Sequence, residues 1–91
     1  MNIAKQNETF ILEDTTEVYE TRGSINHNAS GSLNIHFNVK KLDSEIVGDC
    51  HYDKYAETNA VNFSVNCPEE FREELATYAD TVIDSVLAYF N

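Results

Sequence analysis

Positive charge is scarce in this chain. Its 91 residues hold six Lys and Arg against sixteen Asp and Glu, for a formal net charge of −10. A surface so short of bases cannot neutralise many phosphates, which argues against direct binding of nucleic acid or of an anionic membrane. Glycine is also sparse, at three residues (Gly23, Gly31 and Gly48), so there is no glycine-rich loop to cradle a phosphate. No apolar run approaches the ~20 residues that span a bilayer. Residues 1 to 12 lack a basic start followed by a long apolar stretch, so the expectation is a cytoplasmic protein without a secretion signal. Only Cys50 and Cys67 carry thiols. In a reducing compartment they read as buried free thiols, with a cross-strand disulfide as the alternative.

What is present is enough for one folded domain. The hydrophobic fraction is 42%, and Phe and Tyr together supply ten aromatic rings. A chain of this length buries about 60–65% of its unfolded surface, so a single modest core is expected. Repeats and low-complexity linkers are absent, and the only proline, Pro68, divides two periodicities.

Before Pro68 the period is two. Leu33, Ile35, Phe37 and Val39 alternate with Asn34, His36, Asn38 and Lys40, the pattern of a half-buried strand. Residues 60–67 repeat it, with Val61, Phe63, Val65 and Cys67 on the apolar face. Residues 45–53 form a weaker strand, in which Ile46, Cys50 and Tyr52 share one face and Val47, Asp49, His51 and Asp53 the other. Residues 9–13 read as a short strand, and β-branched residues with Tyr19 favour a strand within 16–27. The intervening links, placed at 14–15, 29–31, 41–44 and 54–58, are too short for parallel crossovers. The expectation is an antiparallel meander of four or five strands over about residues 8–67.

After Pro68 the period is 3.6. On a wheel of 100° per residue with Phe71 at the origin, Leu75, Tyr78, Ala79, Val82, Val86, Tyr89 and Phe90 fall between about −20° and +100°. That stripe predicts one amphipathic helix over about residues 68–90, laid on one sheet face, with Pro68 at its first position and Asn66 or Cys67 as cap. The other sheet face is left to Asn, Ser and His, as in a sheet solvated on one side. The fold class is therefore α+β.

Charge is distributed unevenly over this layout. Residues 1–42 carry five acids and four bases, and residues 43–91 carry eleven acids and two bases. Glu69, Glu73, Asp80 and Asp84 lie between about 160° and 220° on the wheel, and Glu70 and Glu74 at about 260° and 300°, all away from the apolar stripe. The four glutamates sit near the helix start, where the macrodipole favours anions. Asp80 and Asp84 sit where it favours cations, and they repel one another at i,i+4. Local energetics thus account for the glutamates but not for the two aspartates. Asp43, Glu45, Asp49, Asp53 and Glu57 would extend the acidic field if their strand flanked the helix.

Other constellations are weaker. Asp49, His51 and Asp53 share one strand face, where His36 can join them, and imidazole with carboxylate suits zinc or manganese. The same spacing occurs on any polar strand face, so no metal or other cofactor is expected. Cys50 and His51 are adjacent in a strand and point to opposite faces, so they cannot pair as thiolate and base. Tyr52 and Tyr55 could stack bases, but the acids around them oppose a phosphate backbone. An enzyme is not expected.

In size, charge and strand-then-helix layout the whole chain resembles small acidic proteins of phages and other mobile elements, among them anti-CRISPR proteins and bacterial toxin immunity proteins. The resemblance implies an inhibitor that occludes a basic, nucleic-acid-binding surface of a partner nuclease, in the host cytoplasm if phage-encoded. It implies that the acidic stretch from Asp43 to Asp84 faces that surface, as a mimic of DNA. The candidate partner-binding residues are Glu69, Glu70, Glu73, Glu74, Asp80, Asp84, Asp49 and Asp53. The competing reading is a structural or assembly domain without catalysis, monomeric or dimerising through its polar face or a strand edge.

Overall fold

The computed structural model describes residues 1–6, 9–43 and 47–90, with Val47 as backbone only. Six strands, β1 (Asn2–Gln6), β2 (Thr9–Thr15), β3 (Tyr19–His27), β4 (Leu33–Lys41), β5 (Val47–Lys54) and β6 (Val61–Asn66), form one sheet in sequence order. Every neighbouring pair is antiparallel. A 3₁₀ turn, Glu69–Phe71, leads into a single helix, α1 (Arg72–Tyr89). The α+β meander with a C-terminal helix is as expected, but it has six strands.

The added strand is β1. Its alternation is weak, because Ala4 and Lys5 dilute the apolar signal around Ile3. Pairing with β2, Ile3 opposite Leu12, supplies what local pattern does not. Residues 14–15, expected as a link, belong to β2, and the turn falls at residues 16–18. There the Thr16 hydroxyl accepts hydrogen bonds from the backbone N–H of Val18 at 3.1 Å and of Tyr19 at 2.9 Å. The β3–β4 turn is closed by the Asn28 side chain, whose Oδ1 accepts from the N–H groups of Ser30 and Ser32. Gly31 within it has φ +94°, a value glycine adopts without strain.

The core lies between one sheet face and α1. Leu12, Ile25, Leu33, Ile35, Phe37, Val39, Cys50 and Tyr52 come from the sheet, and Leu75, Ala79, Val82, Ile83 and Val86 from the helix. Close approach is built in. A side chain at Gly23, which lies between Leu12 and Phe37, would collide with the His36 carbonyl and with Phe37. The Leu75 side chain comes within 2.8 Å of where a Cβ on Gly48 would stand.

The helix runs over the middle strands and meets the sheet through polar as well as apolar contacts. The Tyr78 hydroxyl donates to Asp14 at 2.8 Å and lies 2.7 Å from the Thr21 hydroxyl, so the one buried polar side chain among the described residues is satisfied. Burial pushes the Tyr78 phenol up to about 12.

Three local expectations are corrected. Tyr89 belongs to the wheel's apolar stripe but is exposed, and Ile83 is buried in its place. Neither Asn66 nor Cys67 caps the helix; Pro68 immediately precedes the 3₁₀ turn, and no side-chain cap bond forms. The inner face of β6 is not buried as its alternation implied. Val61 is 51% and Phe63 39% exposed, although α1 approaches β6 and Val65, farther along the strand, packs against the core. Cys50 and Cys67 are free thiols.

Candidate functional site

Helix α1 and its 3₁₀ lead-in turn Glu69, Glu70, Glu73, Asp80 and Asp84 toward solvent. Among the described residues, none of these five acids has a basic group within ion-pairing distance. Thr77, Thr81 and Ser85 share the outer surface, and each donates its hydroxyl to the carbonyl four residues earlier. The exterior of the helix is thus carboxylates and hydroxyls, with Arg72 its only cation. Asp84 also lies close enough to Tyr52 to help raise that phenol's pKa, after burial as the larger cause. Tyr52 in turn pairs with Phe63, their ring centroids 6.5 Å apart.

Glu74 does not join those five acids. Its carboxylate accepts a 2.6 Å hydrogen bond from the Tyr19 hydroxyl and forms a 3.0 Å ion pair with Lys41. The Tyr19 hydrogen bond, then Lys41, hold its pKa below the ordinary glutamate value. The Tyr19 phenol is pushed up to about 12, by burial first and by Glu74 second. Glu74 fastens the helix start to β3 and β4 instead of facing a partner.

Asp49 and Asp53 do not extend the acidic line either. They alternate with the buried Cys50 and Tyr52, so they project from the sheet face opposite the helix. Asp53 accepts a 2.6 Å hydrogen bond from the Asn34 side chain. Glu57 is exposed in the β5–β6 connection and Asp43 in the turn before β5, while Glu45 and Ile46 lie outside the described residues. Among the described residues, the helix acids and the Asp49–Asp53 pair thus lie on two different polar surfaces.

No family model, curated protein or solved structure matches this chain. Its chemistry has to be read from its own residues.

The second polar surface is an ordered lattice. The register places Ser24, His36, His51 and Ser64 in one row across β3 to β6. Arg22, Asn38, Asp49 and Asn66 form the next row, and Asn26, Asn34, Asp53 and Asn62 the third. Within it, His36 Nε2 is 2.8 Å from Asp49 Oδ1, and His51 Nε2 is 4.0 Å from Asp49 Oδ2. The two imidazoles are stacked, 4.1 Å between centroids and 8° from parallel. Of the residues grouped from the sequence, Asp49, His51 and His36 come together, while Asp53 turns to Asn34. Cys50 lies on the buried side, as alternation requires, and burial pushes its thiol up to about 12, which removes it as a nucleophile.

Sequence reasoning missed the exposed pair Val61 and Phe63 and the hydroxyl strip of α1. The hydroxyls were legible, since Thr77, Thr81 and Ser85 recur at i,i+4 on the acidic side of the wheel. The exposure of β6 had no signal in the sequence, because its alternation matches that of a covered strand.

Proposed function

We propose that this protein is an acidic binding module that occludes a basic, nucleic-acid-binding surface of a partner nuclease. The observation that carries this reading is the outer face of α1, where Glu69, Glu73, Asp80 and Asp84 stand exposed and unneutralised among the described residues. From Glu69 to Asp84 the line is about 22 Å long, at ~1.5 Å rise per residue. A rigid row of carboxylates of that length can take the place of a phosphate backbone in a cationic groove. Such a field raises association rates by about 10–10³ and fades with salt. Phe63 and Val61, exposed on β6, supply apolar area, so that contact need not rest on screened charge alone. The resemblance to anti-CRISPR and toxin immunity proteins points to the same mode of action in the host cytoplasm, without catalysis.

The test uses CRISPR-associated nucleases and bacterial toxin nucleases as partners, in binding titrations at low and high salt. Binding is expected at low salt, weakening as salt rises. The double variant Asp80→Lys with Asp84→Lys is expected to weaken it by about tenfold or more, chiefly through the association rate. Unchanged binding in that variant removes the helix face as the site.

One observation favours a second reading, an assembly domain. The sheet is open, and β6 presents both a free edge and exposed apolar side chains, a known route to pairing with another copy. The net charge of −10 opposes it. Light scattering over a concentration series decides the matter, and a strict monomer eliminates assembly of copies.

A further inference from the structure

We propose that His36, Asp49 and His51 form a binding site for one divalent transition-metal ion of the zinc class, on the sheet face opposite α1. The proposal is independent of the acidic helix and of any protein partner.

Three potential ligand atoms, one from each residue, lie within 4.8 Å of one another. Zinc bonds imidazole nitrogen and carboxylate oxygen at about 2.0–2.2 Å, so tetrahedral neighbours stand about 3.3 Å apart. The two imidazoles approach the Asp49 carboxylate through different oxygens. His36 Nε2 to Asp49 Oδ1 is 2.8 Å and His51 Nε2 to Asp49 Oδ2 is 4.0 Å. Gathering both nitrogens and one carboxylate oxygen about a single ion takes a turn of the side chains, with the rings splaying so that each Nε2 lone pair aims at a shared point. The three side chains are each about half exposed, which leaves room for that adjustment.

The backbone fixes the convergence. His36 and His51 are directly opposite on β4 and β5, and Asp49 is two residues from His51 on the same face. Side chains so placed reach one another without any change in the sheet. Both imidazoles present Nε2 to the same carboxylate, one toward each oxygen, which is more than chance alternation of polar residues requires. Metal takes the imidazole through a nitrogen lone pair. Asn38 and Asn66 flank Asp49, and Ser24 and Ser64 flank the histidines, so polar groups that can orient the ligands stand in the neighbouring lattice positions. Two nitrogens with one oxygen favour zinc and its neighbours over magnesium or calcium, which prefer all-oxygen sites. Three protein ligands leave a position open to water or to a donor from another molecule. The ion would tie β4 to β5 on the face that the helix does not cover.

The test is calorimetric titration of the full, tag-free, chelator-stripped chain with zinc chloride, with magnesium chloride as comparison. One zinc ion per chain is expected, and no magnesium binding. His51→Ala and Asp49→Asn should each weaken zinc binding by about 10–100-fold. Cys67→Ala and His27→Ala, both on the side of the sheet that packs against the helix, should leave it unchanged. In the unaltered protein, nitrogen-15 spectra of the imidazoles should show zinc shifting His36 and His51 but not His27, a readout that needs no variant to fold. The proposal is overturned if zinc binds the wild type no more tightly than His51→Ala. It is equally overturned if Cys67→Ala abolishes binding, or if the His36 and His51 signals stay in place under saturating zinc.

Discussion

At the scale of single residues, Glu74 shows how tertiary contact reassigns a side chain. Its helical position groups it with five other acids, yet its carboxylate is held by Tyr19 and Lys41. The lowered pKa gives this contact a definite pH dependence. Its contribution to stability is present above the ordinary glutamate value of 4.5 and is lost as pH falls through the lowered folded value. Glu74→Gln cannot ionise. The variant should therefore be less stable than wild type at neutral pH, and the gap should close on acidification below that range. Urea unfolding of both proteins at a series of pH values measures it, and a gap that does not change with pH shows that charge plays no part. The same side chain marks a limit of legibility. The wheel places Glu74 nearest the apolar stripe of all the helix acids, but nothing local says that a tyrosine and a lysine from β3 and β4 wait there.

At the scale of elements, α1 holds anions where its own energetics do not favour them. Asp80 and Asp84 repel at i,i+4, and Asp84 lies in the C-terminal half, where cations are preferred. Asp84→Lys replaces the repulsion with an Asp80–Lys pair and suits the dipole. The expected result is a gain of about 0.3–1 kcal/mol in unfolding free energy, read by denaturant titration. If the acidic face serves binding, the same substitution weakens the partner complex, so stability and function move in opposite directions. The strands were legible to different degrees. Alternation in residues 33–40 and 60–67 places every side chain of β4 and β6 on its correct face, because period two is a local property. It cannot say that the apolar face of β4 is buried while Val61 and Phe63 of β6 are exposed. Weak alternation in β1 hid a strand that exists through pairing with β2.

At the scale of the whole molecule, a net charge of −10 on 91 residues works against the compact state. Screening should relieve it. The Debye length is about 10 Å at 0.1 M salt and shorter above that. The melting temperature is therefore expected to rise between low salt and about 0.5 M sodium chloride, while binding to a basic partner declines over the same range. Scanning calorimetry beside the binding titrations tests the pair of opposite slopes. A melting temperature indifferent to salt would mean that the acids stand too far apart to repel appreciably. Placement of the acids supports some separation, since the α1 line and the Asp49–Asp53 pair occupy opposite surfaces.

The sequence by itself determined the class of fold, the antiparallel pairing of its strands, the amphipathic helix after Pro68 and which side of its strand each side chain takes. All of these follow from short-range periodicity and short links. Only the tertiary structure decided the order of the strands, where the helix comes to lie on them, and that His36 meets Asp49 and His51. Those outcomes depend on register between β4 and β5 and on where the helix comes to rest. Contacts between distant segments set both, and spacing along one chain does not encode them in a readable form.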